Sequence, residues 1–74
     1  MNKLKQIREY CVKKCHELND KKNFCEEMIA KKQKERDWIG ADNWNNDWHR
    51  NVDKFAAIQD VINKIDEVMN EQQN

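Results

Sequence analysis

Asp37-Trp38-Ile39-Gly40-Ala41-Asp42-Asn43-Trp44-Asn45-Asn46-Asp47-Trp48-His49 holds all three tryptophans of a 74-residue chain and its only glycine. The residues before it are lysine-rich and helix-like, and those after it carry an apolar stripe. Asn43, Asn45, Asn46 and Asp47 are poor in a helix interior, because their side chains compete for the nearby backbone. Gly40 suits the positive-φ residue that ends a helix. The stretch is therefore predicted to be a connection over about residues 37–47. It is longer than the roughly two to eight residues usual between paired helices, so it reads as a folded cap or a binding loop. Each tryptophan brings a large apolar surface and one indole N–H that needs an acceptor.

Downstream, Phe55, Ile58, Val61, Ile62, Ile65, Val68 and Met69 recur at three- and four-residue steps. At about 100° per residue they fall in one stripe roughly 140° wide, which predicts a helix over about residues 48–70. Asp47 or Asn51 would be its N-cap, and Asp53 suits its first turn. Trp48 lies on the stripe, and Trp44 joins it if the helix begins early. Trp38 projects off the stripe of the first helix and is expected in solvent. The tail, residues 71–74, is expected to fray.

Upstream, Leu4, Ile7, Tyr10, Cys11, Cys15, Leu18, Cys25, Met28 and Ile29 share one face of a helix over about residues 2–36. Lys14, Lys21, Lys22 and Lys32 intrude on that face and would have to snorkel. One continuous helix is favoured, because neither Gly nor Pro interrupts it. The alternative is a break near residues 19–23, with Asp20 or Asn23 capping a second helix whose face includes Phe24.

Composition agrees with long helices. There is no proline, charged residues make up 38%, and mean hydropathy is −1.23. The expected class is all-α: an antiparallel helical hairpin in one domain, residues 1–74. Charge is balanced overall but not along the chain. Residues 1–36 hold eleven Lys/Arg against six Asp/Glu, and residues 37–74 hold three against eight. Folding the halves together sets basic against acidic flanks. A chain below about 80 residues seldom closes a core alone, so two hairpins are expected to pair as a four-helix-bundle homodimer. No apolar run approaches the roughly 18 residues of a membrane span, and Met1-Asn2-Lys3-Leu4-Lys5 lacks the apolar core of a signal peptide. A cytoplasmic protein with no membrane partner is the expectation.

No catalytic or metal pattern emerges. Cys11 and Cys15, four apart, could chelate from one helix face, but His16 is about 100° around the helix from Cys15. Cys25 lies some 15 Å further along, far beyond the roughly 2.3 Å zinc–sulfur distance. The three cysteines are therefore read as small apolar residues on the buried stripe, with no cofactor or metal. The Asp42 to Asp53 interval spans an EF-hand loop, yet Trp44 occupies a ligand position and Asp47 the turn glycine, so calcium is rejected. His16 and His49 read as surface residues, and the chain is not expected to be an enzyme.

Phe55-Ala56-Ala57-Ile58-Gln59-Asp60-Val61-Ile62-Asn63-Lys64-Ile65-Asp66-Glu67-Val68, following a lysine-rich helix and a hairpin connection, resembles small helical-hairpin accessory proteins encoded by bacteriophages and mobile elements. That resemblance implies a compact protein that binds and modulates a host or phage macromolecule, sometimes as an inhibitor. Many such inhibitors are strongly acidic nucleic-acid mimics, whereas this chain is neutral. The expected function is a non-enzymatic protein–protein interaction module, with Trp38, Trp44, Trp48, His49 and Arg50 as candidate contacts, since Trp and Arg are enriched at hot spots. The alternative is nucleic-acid binding through Lys31, Lys32, Lys34 and Arg36 beside Trp38. Those cations also sit where a helix C-terminus favours positive charge, and the chain pI of about 6.7 is far from strongly basic.

Overall fold

The computed structural model describes the backbone of residues 2–73 and the side chains of residues 2–71. It is a hairpin of two antiparallel helices, α1 (Lys3–Lys34) and α2 (Trp38–Gln73). Asn2 caps α1, its side-chain oxygen accepting from the Leu4 N–H at 3.0 Å. No break occurs near residues 19–23; α1 is continuous for 32 residues. The absence of Gly and Pro decides this, and α2 supplies tertiary support along its length.

The predicted connection over residues 37–47 is helical from Trp38 onward, and this is the main correction. The helices are joined only by Glu35–Asp37, and α2 begins ten residues earlier than the pattern beyond Trp48 suggested. At its other end α2 runs to Gln73; Asn74 lies outside the described residues. Tertiary packing overrides the weak propensities of Asn43, Asn45, Asn46 and Asp47. Ala41 is buried and Trp44 and Trp48 are half-buried, so this early segment of α2 is held against α1 by its own side chains.

Gly40 does not end a helix. It lies in the first turn of α2 and has no positive φ; the left-handed residue is Arg36, at φ 59°. The Arg36 N–H donates to the Gln33 carbonyl at 3.0 Å and the Asp37 N–H to the Lys32 carbonyl at 2.8 Å. This pair of bonds is a Schellman motif, which satisfies the last carbonyls of α1. Asp37 then caps α2, its Oδ1 accepting from the Gly40 N–H at 2.9 Å, in place of the expected Asp47 or Asn51.

The seam follows a seven-residue repeat. Cys11, Leu18 and Cys25 of α1 are buried, as is Cys15. Opposite them Ala41, Ile62 and Ile65 are buried, with Phe55 and Ile58 half-buried beside them. Arg8 and Asp66 tie the helices near the open end, Nε to Oδ1 at 2.7 Å. No side chain is fully buried among those described. The result is a rod of 57 × 16 × 12 Å with a radius of gyration of 16.8 Å, against about 11 Å for a compact chain of this length.

Candidate interaction surfaces

A two-helix hairpin has one buried seam and two open sides, and the tryptophans distribute between them. Trp44 turns to the first side. Its ring meets Phe24 edge-on with centroids 5.5 Å apart, and it borders a groove with Lys21, Cys25, Asp47 and Arg50. Trp48 turns to the second side, where its Nε1 donates to Glu26 Oε1 at 3.2 Å and its ring borders Asn19, Lys22, Val52 and Phe55. Between them Asn51 Nδ2 donates to Cys25 Sγ at 3.7 Å. Trp38, in the first turn of α2, is 61% exposed, and its neighbour Ile39 is 78% exposed.

The five candidate contacts therefore do not form one patch. Trp38 stands at the closed end, Trp44 and Arg50 border one side groove, and Trp48 borders another. His49 is exposed, with its ring edge-on to Trp48 at 5.0 Å. Arg50 is held by Asp47 at 3.3 Å. Trp48 and Trp44 are packing residues first, and each also shows one flank to a groove.

The basic cluster is only partly free. Lys31, Lys32 and Lys34 occupy the last turn of α1, and Arg36 the turn itself. Lys32 is drawn to Glu35 at 3.7 Å and Asp37 at 3.5 Å, so it stabilises the turn. Lys31, Lys34 and Arg36 are exposed, as is Trp38.

The two sides differ in charge. On the second side the cations lining the grooves are matched within the chain: Arg8 by Asp66 at 2.7 Å and Lys22 by Glu26 at 3.4 Å. Val12, Val52, Phe55 and Ile62 form the apolar lining there. On the first side Lys14, Glu17, Lys21 and Lys54 surround Leu18, Ala57 and Ile58. Lys14 reaches Glu17 at 3.3 Å, whereas Lys21 and Lys54 make no ion pair among the described residues. Of the lysines that intrude on the apolar face in sequence, Lys14, Lys21 and Lys22 thus line groove edges, and Lys32 sits at the turn. The seven-residue spacing of Lys14 from Ile7 and of Lys21 from Met28 is the sequence signal for this groove. Lys54 carries the same signal, seven and fourteen positions before Val61 and Val68.

Among the described residues no polar or charged side chain is buried, and no group of three His, Cys, Asp or Glu residues could hold a metal ion. Burial pushes the Cys15 thiol above its ordinary pKa, with the neighbouring Cys11 adding to the shift; this is the opposite of activation. No helix among the described residues is long and apolar enough to cross a membrane. No protein-family model, curated protein or solved structure matches the chain.

Proposed function

We propose that this chain is a non-enzymatic protein–protein interaction module whose hairpins pair as a homodimer. The supporting observation is its surface. A compact monomer of 9.0 kDa exposes roughly 4,850 Å², whereas this chain exposes 5949 Å². The excess of about 1,100 Å² is more than the roughly 800 Å² that one partner contributes to a standard interface. Helices packed on the open sides would remove that excess.

The second side suits a second copy. Its groove cations are already neutralised by Asp66 and Glu26, so placing it against itself brings no unbalanced groove charge together. Val12, Val52 and Phe55 would complete a four-helix core. The closed end, with Trp38 and Ile39 in solvent, offers an aromatic anchor for a different protein. A regulatory or inhibitory role of the kind implied by the phage-protein resemblance fits such a module.

Capture from cell lysate with the wild type and with Trp38→Ala tests the anchor. A discrete protein retained by the wild type and lost by the variant is the expected result. Retention of nothing, or of nucleic acid alone, would count against the reading. The second reading, nucleic-acid binding, draws on the shared exposure of Lys31, Lys34, Arg36 and Trp38. It requires oligonucleotide binding in low salt that quenches tryptophan fluorescence and is lost in Trp38→Ala.

A further inference from the structure

We infer that the basic groove on the first side receives an amphipathic helix with acidic flanks from a partner protein, making a three-helix bundle. This rests on the interaction-module reading and names the chemistry of one partner. Leu18, Ala57 and Ile58 make an apolar floor between antiparallel helices, with Lys14, Glu17, Lys21 and Lys54 around it. The trough between two packed helices is the shape that a third helix fills, at about 8–10 Å between axes. The floor calls for apolar residues at three- and four-residue steps on the incoming helix. Lys14 is matched by Glu17 at 3.3 Å, and the unmatched Lys21 and Lys54 call for Glu or Asp beside them.

Charge complementarity selects this occupant over the others. Lys21 and Lys54 have no carboxylate of their own among the described residues. A second copy placed groove to groove would crowd both pairs of unmatched lysines together. The outward acids of α2, Asp53, Asp60 and Glu67, cannot serve in trans as part of such a helix, because Ile62 and Ile65 of α2 are already buried against α1. A nucleic acid would satisfy the lysines but leave the apolar floor uncovered, and with it Val61 and Val68 further along α2, exposed at 45% and 40%. An acidic amphipathic helix meets both demands.

The test uses the full chain, isotope-labelled for NMR, and four probes. The first is a synthetic amphipathic helix of about three heptads with Leu on its seam and Glu on its flanks. The others are the same peptide with Lys for every Glu, an oligo-dT strand, and phosphatidylcholine vesicles containing phosphatidylserine. The acidic peptide is expected to shift the amides around Lys14, Lys21 and Lys54. Lys21→Glu with Lys54→Glu should weaken it about tenfold or more, and exposed Lys13→Glu should leave it unchanged. Circular dichroism confirms that each variant remains helical. The proposal is overturned if the acidic peptide does not bind, if the Lys peptide binds as well, or if oligo-dT or vesicles occupy the groove more tightly. Lysate capture that depends on Trp38 while the peptide fails would remove the groove proposal and leave the interaction module standing.

Discussion

Asp37 and Gly40 are locked to each other: the Asp37 carboxylate accepts the Gly40 N–H at 2.9 Å and sits where a Cβ on residue 40 would be, 2.5 Å from Oδ2. The glycine thus serves the cap of α2 and not the end of α1. Asp37→Ala is expected to cost about 0.5–2 kcal/mol, the usual loss for an N-cap. Gly40→Ala should fail to deliver the roughly 1 kcal/mol gained by removing a helical glycine, because the new methyl displaces the capping carboxylate. Chemical denaturation of both variants checks the pair; a Gly40→Ala protein stabilised by the full amount would contradict it.

Arg36 holds a left-handed backbone that an L residue adopts at a cost of about 1–2 kcal/mol. Its φ of 59° is the conformation glycine tolerates freely. Arg36→Gly should therefore stabilise the hairpin by up to about 1 kcal/mol, less what is lost to a floppier unfolded chain. An unchanged or lower Tm would show that the turn is not built this way.

The hairpin class and the burial of Cys11, Cys15 and Cys25 were readable from the sequence, because seven-residue apolar spacing survives local exceptions. The turn was misplaced for a physical reason. The asparagines at 43, 45 and 46 and Gly40 speak only for local propensity, worth fractions of a kcal/mol to about 1 kcal/mol each. Burial of Ala41 and the packing of Trp44 on Phe24 outweigh them, and that partnership across the hairpin has no local signature. The actual stop is written in Arg36, a residue type that gives no turn signal. The basic groove was hidden because Lys54 lies on the opposite helix from Lys14 and Lys21, and only the register of the hairpin brings them together.

Substitutions should separate seam from surface. Ile62, 5% exposed against Cys11 and Cys15, should cost about 2–5 kcal/mol as Ile62→Ala. Trp38→Ala, at a side chain that is 61% exposed, should stay within about 0.5 kcal/mol of wild type. Thermal melts followed by circular dichroism compare them, and a large loss from Trp38→Ala would make it part of the core.

Burial raises the Cys15 thiol pKa above its ordinary value of 9.0, with Cys11 as the second cause. The folded state therefore holds this proton more tightly than the unfolded chain does. The associated stability is intact below pH 9.0 and drains as pH climbs toward the raised folded value. Cys15→Ala should flatten the decline in Tm on the alkaline side. The native thiols should also resist alkylation at neutral pH and react once the chain is unfolded. Rapid alkylation of the native protein, or an identical alkaline decline in Cys15→Ala, would contradict the burial described.

Val52, between Trp48 and Phe55 on the charge-matched side, should be a sensitive position for self-association. Val52→Glu would place like charges across a two-fold interface, and the variant should remain helical while losing its partner. The most direct measurement is sedimentation equilibrium of the wild-type chain at tens of micromolar, a concentration where a typical homodimer is populated. A particle of twice the 9.0 kDa chain mass, falling to a single chain mass in Val52→Glu, is the expected result. A wild-type particle of 9.0 kDa would contradict the claim that the hairpin completes its core by pairing.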